Sequence, residues 1–466
     1  MKRYILLIKF TLLFFLIQAQ TLGLKDFLKT VYQNHPDAVS ARLLLEEAEA
    51  NQKMARGGFD PKIFASNQEK NFGGTHYYSK VESGLTIPLN PGIDINAGLN
   101  FSSGLYLNPD ERIPLTGLGA FGIDANLGKG LFFDERRFNL QSADLGILFN
   151  DARKIAVIND LILDAAQAYF NWTFQFNTYK AYQLAVDLAD QRFKAIRESY
   201  LFGDMAAADT LEAFLEFQNR LNLRTLAEIN YQNSTFDLNF YIWDQNQSVQ
   251  RLDPGLIPEN YSESNFFNLP LTSTISDFIL INHPDLVQIG IQRSQLDLER
   301  KLALEGFKPD LKLKYRYLLN SNQISDVTTA LAENINWGLQ FNFPLFLRQA
   351  RGKMDGIKVK NAQNDLKEIA KLNELTFKTE AFLSEKENLK KQLELFREVV
   401  ANHQRLVQIE NRKFQIGESS LFLINNREAK LIEAQINLAK IEYQLGVLEF
   451  KMLWAIGKVS EIVSTF

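Results

Sequence analysis

Gln415-Ile416-Gly417-Glu418-Ser419-Ser420 separates two long runs of periodic apolar residues, and its reading decides the architecture. Residues 349–416 contain no proline, and glycine only at Gly352 and Gly356, so 68 residues can continue as one helix. At 1.5 Å per residue that helix is about 100 Å long. Along it Leu389, Leu393, Phe396, Val400, His403 and Val407 recur at steps of four and three, the spacing of a coiled-coil seam. Beyond Gly417 the same beat returns at Leu438, Ile441, Leu445, Leu448 and Met452. Residues 348–452 are therefore expected to form a very long antiparallel helical hairpin with a polar tip. Helices of ordinary globular domains average about three turns, so this length points to a spacer or a tube.

The rest of the composition narrows the class. A net charge of -4 without a Lys/Arg-rich block argues against a nucleic-acid footprint. The absence of cysteine excludes disulfides, thiolate metal sites, a cysteine nucleophile and a lipidated N-terminal cysteine. Residues 1–20 read as a secretory signal peptide: Lys2 and Arg3 precede an apolar run, and Gln18-Ala19-Gln20 offers a cleavage region. No later segment holds eighteen uninterrupted apolar residues, so entry into a membrane would have to be by β-strands.

In chain order, residues 24–34 read as a short helix closed by Asn34-His35-Pro36-Asp37. Pro36 suits the first position of a second helix, and Asp37 its first turn. That helix runs to a break at Gly57-Gly58-Phe59-Asp60-Pro61. The tetrad recurs 248 residues later as Asn282-His283-Pro284-Asp285, and the break recurs at the same offset, with Pro309 matching Pro61. Equal registers of this kind mark an internal duplication. After each break the pattern alternates as in strands. The second copy has residues 312–318 and 337–346, ending at Phe343-Pro344-Leu345-Phe346; the first has 62–72, 81–89, 93–106 and 120–133. Asn90-Pro91-Gly92 and Asn108-Pro109-Asp110 supply turns between them.

A first long helical run, 134–201, turns at Phe202-Gly203-Asp204 and returns toward Trp243. Phe132 and Gly203 lie 71 residues apart, as do Phe346 and Gly417, so both long helices are expected to have one length and both tips one height. The offset between the copies has fallen to 214 by the tips, which places 34 extra residues in the first strand region, as an additional hairpin or a long external loop. The expected domains are a signal peptide at 1–20, a first repeat at 21–251, a linker at 252–271 and a second repeat at 272–466. In the first repeat the strands span 62–133 and the helical hairpin 134–245; in the second they span 310–346 and 349–456.

A secreted chain built twice from two helices, a strand region, a long helix, a glycine tip and a returning helix resembles the outer-membrane factor family of TolC-like efflux and secretion ducts. The resemblance rests on the paired tetrads, on Phe343-Pro344-Leu345-Phe346 leading into a helix, on the tip Arg412-Lys413-Phe414-Gln415-Ile416-Gly417-Glu418, and on Asp209-Thr210-Leu211-Glu212-Ala213 after the first tip. It implies a mainly α fold with a β-barrel portion, in which strands of a homotrimer close one outer-membrane barrel and the helical hairpins close a periplasmic tunnel. It also implies a periplasmic adaptor protein and an inner-membrane efflux or secretion pump as partners, and no cofactor. Carried over by position, the adaptor-docking tips are Phe202, Gly203, Asp204 and Met205, with Ile416, Gly417, Glu418, Ser419 and Ser420 on the other. The pore constriction falls on Asp209 and Glu212 and, six and nine residues after Gly417, on Leu423 and Asn426, where the family places carboxylates.

No enzyme constellation accompanies this pattern. There is no phosphate-binding glycine loop and no serine elbow, and His35 and His283 sit in duplicated caps without histidine or cysteine neighbours at ligand spacing. The reading is a passive exit duct in the outer membrane with its helical body in the periplasm. The alternative is a periplasmic coiled-coil scaffold or adaptor without a pore.

Overall fold

The computed structural model describes residues 21–90, 92–253, 255–259, 275–320 and 334–465. The signal peptide expected at 1–20 and most of the linker expected at 252–271 lie outside them, as does the connection 321–333.

β1 (Thr21–Leu22) leads into α1 (Leu24–Asn34) and α2 (Pro36–Arg56), which meet at the first tetrad. Four strands follow: β2 (Lys62–Phe72), β3 (Thr75–Pro88), β4 (Ile93–Ser103) and β5 (Leu118–Asn126). Next come α3 (Glu135–Phe202), α4 (Ala207–Asn239) and the short β6 (Ile257–Pro258), which pairs in parallel with β1. The second copy supplies α5 (Ile275–Asn282), α6 (Pro284–Glu305), β7 (Asp310–Asn320), β8 (Ile335–Asn342), α7 (Arg348–Gln415), α8 (Leu421–Ala455) and the terminal α9 (Val459–Ser464). The two long helices are each 68 residues.

The duplication extends to individual hydrogen bonds. In both tetrads the histidine stands between two helices, and its Nδ1 accepts the backbone N–H two residues on, from Asp37 to His35 and from Asp285 to His283, each at 3.2 Å. An imidazole thus does the work usually given to a serine or asparagine side chain, satisfying an amide that the first helical turn leaves without a partner. Both rings are buried. His35 lies among Phe240, Tyr241 and Trp243, and His283 meets the edge of Trp454. Burial lowers the pKa of both, that of His283 to about 4.

Two compact units are distinguished. One comprises Met1–Arg42, Arg153–Leu286 and Lys371–Phe466, with its core in helix–helix packing. Trp172, Leu238, Leu375, Leu393, Phe450 and Met452 are fully buried there. α3 and α8 approach closely where Gly446 faces Phe170; a Cβ on that glycine would sit 2.3 Å from the ring. At this contact the glycine supplies room rather than backbone freedom, which outweighs its poor helix propensity. The seam along α7 is borne out by burial of Leu389 and Leu393 and half-burial of Phe396, Val400, His403 and Val407.

The other unit, Leu43–Ala152 and Val287–Ala370, holds a six-stranded antiparallel sheet in the order β2-β3-β4-β5-β7-β8. β3 begins at Thr75 rather than at residue 81, because Gly73 and Gly74, at φ of 59° and 78°, make the two-residue hairpin turn that twisted strands favour. β5 ends at Asn126, seven residues before the expected end of the strand region. The chain there bends into α3, held by Arg137, whose guanidinium donates to the carbonyls of Gly130 and Leu131 at 3.0 and 2.8 Å. The extra residues of the first copy include two strands, β3 and β4: among the described residues the first copy contributes four strands to the sheet and the second two.

Candidate conduit wall and hairpin tips

The sheet registers decide which side chains share a face. One row runs through all six strands as Lys62, Thr86, Asn96, Gly122, Arg316 and Asn336. By alternation, this face also carries Gln68, Lys80, Glu82, Asp94, Asn100, Asp124, Lys312, Lys314 and Gln340. An ion pair crosses it between Arg316 of β7 and Asp124 of β5 at 2.6 Å, and another lies along β7 between Lys312 and Asp310 at 3.7 Å. The opposite face carries Leu85, Ile95, Leu99, Phe101, Phe121, Ile123, Leu313, Tyr315, Leu319, Trp337, Leu339 and Phe341. Trp337 and Phe341 are 64% and 67% exposed. The first face is thus mostly polar, though Phe64, Tyr78 and Leu318 share it, and the second mostly apolar, though Asn67 and Glu69 of β2 lie on it. Among the described residues no strand pairs with the outer edge of β2 or β8, and every residue of both strands is exposed. No described helix is long and apolar enough to cross a membrane.

The two hairpin tips repeat one geometry. At the first, Gly203 has φ 87°, its N–H donates to the Tyr200 carbonyl at 3.0 Å and that of Asp204 to Ser199 at 2.9 Å. At the second, Gly417 has φ 79°, its N–H donates to Phe414 at 3.0 Å and that of Glu418 to Lys413 at 2.8 Å. These are matched Schellman closures, in which a left-handed glycine satisfies the last free carbonyls of a helix. Phe202 (83% exposed) and Ile416 (69%) stand out from the tips; Gly203, Asp204, Gly417, Glu418 and Ser420 are exposed and Met205 and Ser419 half-buried. Ser420 caps α8, its Oγ accepting the Leu423 N–H at 3.4 Å, while Ser419 Oγ donates to Glu410 at 2.6 Å.

Asp209 occupies the third position of α4, where Oδ2 accepts the Ala206 N–H at 3.2 Å, so this carboxylate has a capping role besides any role in a lumen. Glu212, Leu423 and Asn426 are exposed. One buried cluster brings the two tips together: Ile196 of α3, Ala213 of α4 and Leu421 of α8, with Phe193 and Phe414 packed against it.

A buried charge cluster that sequence reasoning missed lies further along the same hairpins. Glu428 of α8 accepts from Arg192 of α3 and from Arg220 of α4, the latter at 2.7 Å, and Arg192 also donates to Asn425 at 3.0 Å. Arg220 in turn pairs with Glu216 at 2.7 Å. Burial alone would raise the Glu428 pKa, but the two guanidinium groups hold it below the usual carboxylate range. The signal was symmetry of position: Arg192 lies eleven residues before Gly203 and Glu428 eleven after Gly417.

Residues 276–448 match the outer membrane efflux protein family. Among solved structures, the open state of the Neisseria gonorrhoeae MtrE outer membrane channel shares the fold with a TM-score of 0.68 at 14% identity, over 95% of this chain and 92% of that one. The Campylobacter jejuni CmeC outer membrane channel gives 0.63 at 16% identity over 93% and 85%, and the Vibrio cholerae outer membrane protein VceC 0.63 at 13% over 93% and 96%. The chain therefore has the fold of the TolC-like outer membrane channels, and the resemblance read from its tetrads and tips holds. No curated protein sequence matches it.

Proposed function

We propose that this protein is an outer-membrane exit duct for efflux or type I secretion, working as a homotrimer. The observation that carries the reading is the six-stranded sheet. Among the described residues one chain leaves both sheet edges unpaired, which lipid does not tolerate, and bares a mostly apolar face that has no use in periplasmic water. Pairing β8 of each copy with β2 of the next removes both edges and encloses the polar face. A periplasmic scaffold without a pore would leave that apolar surface unexplained. Solute moves by diffusion, driven by an inner-membrane pump to which a periplasmic adaptor couples the duct.

In this reading the adaptor docks on the two matched tips, through Phe202, Gly203, Asp204 and Met205 and through Ile416, Gly417, Glu418, Ser419 and Ser420. The lumen narrows near Asp209, Glu212, Leu423 and Asn426, three copies of each. Clustered carboxylates at Asp209 favour cations, and Leu423 makes the other half of the constriction apolar. Purified full-length protein in a planar lipid bilayer is expected to give discrete conductance steps that prefer cations, and Asp209→Ala to reduce that preference. An absence of steps contradicts the duct; steps with unaltered selectivity in the variant remove Asp209 from the constriction.

A further inference from the structure

The two copies of the repeat do not contribute equally to the sheet. Lys62 opens β2 and Asp310 opens β7 at the same offset from the duplicated break, while β5 and β8 each precede one of the two 68-residue helices. The repeat unit is thus a pair of strands, and the first copy inserts a second pair, β3 and β4, between them. This insert is part of the wall and not a flap beside it. β3 pairs with β2 along its length, β4 with β3 over ten residue pairs and with β5 over eight, and the row from Lys62 to Asn336 passes through it unbroken. It also carries the alternation of its neighbours, with Leu85, Ile87, Ile95 and Leu99 on the apolar face and Glu82, Thr86, Asn96 and Asn100 on the polar one. A hairpin lying in external water would have no reason to keep an apolar side.

We infer that the assembled barrel has eighteen strands, six from each chain, and that its bore is set by the β3–β4 insert. This rests on the trimeric duct proposed above. With strands about 4.8 Å apart and tilted about 40°, eighteen strands close at a diameter of about 36 Å, against about 24 Å for the twelve that three copies would supply without the insert. After a layer of side chains about 5 Å deep on each wall, the lumen is about 25 Å wide. An opening of that width does not sieve small solutes and accepts bulky or polymeric cargo, so selection by size falls to the helical end of the duct.

The test is an image of the full-length assembly at a resolution that separates strands. Eighteen strands around one lumen are expected. Twelve strands, with residues 75–103 outside the wall, overturn the inference and leave the duct standing; no closed barrel overturns both. Cysteine pairs scanned along β2 and β5 give a second readout, since the chain has no cysteine of its own. Two intervening strands keep β2 and β5 about 14 Å apart, beyond disulfide reach, so no pair is expected to bridge within a chain. The control Ser66→Cys with Glu82→Cys, directly opposite on β2 and β3, is expected to bridge. A disulfide between β2 and β5 overturns the inference.

Discussion

The imidazole of His283 accepts the Asp285 N–H through Nδ1, which requires that nitrogen to be unprotonated. Burial disfavours the cation; Asp285 and Glu374 pull the other way, Lys371 adds to the lowering, and the pKa falls from 6.5 to about 4. The unfolded chain therefore binds the proton more readily than the folded one. Stability from this group is complete above about pH 6.5 and declines as the pH falls toward 4, by about 3 kcal/mol per chain. His283→Asn keeps a capping oxygen without a titrating ring. The melting temperature of the wild type is expected to fall more steeply than that of the variant between pH 7 and 4.5; parallel curves contradict the assignment. At this scale the sequence was only partly legible. The repeated tetrads marked both histidines as parts of structural caps, but only the folded chain shows Nδ1 accepting the amide two residues on. The sequence analysis did not single out Arg192, Arg220 and Glu428, because only the packing of three helices buries them together.

Among the elements, the long helices and their tips were read almost residue for residue, since unbroken helix-forming sequence and a left-handed glycine are local signals. The strands were harder. Gly73-Gly74 shortens the first turn to two residues and lengthens β3, and of the additional hairpin and the external loop that the sequence left open, the sheet selects the hairpin. The tips carry the prediction at this scale. Gly417 has nothing within 4 Å of where a Cβ would project, so a side chain there costs about 1–2 kcal/mol of backbone strain and meets no neighbour in the chain. If the tip docks the adaptor as proposed, Gly417→Lys and the unstrained Ile416→Glu are both expected to abolish its crosslinking to that adaptor while the proposed oligomer still assembles. Crosslinking retained by both would refute docking at this tip.

For the whole molecule, the sheet's two exposed edges and single apolar face are features of an incomplete object. The sequence pointed there through its alternating strands, with no described helix long and apolar enough to cross a membrane, whereas the proposed closure by other copies leaves no motif within one chain. The most direct measurement is the envelope location and native mass of the full-length protein, extracted gently and run with and without heating. The account predicts an outer-membrane trimer that heating dissociates to single chains. A soluble periplasmic monomer or dimer would contradict it, and the apolar face of the sheet would then need another partner.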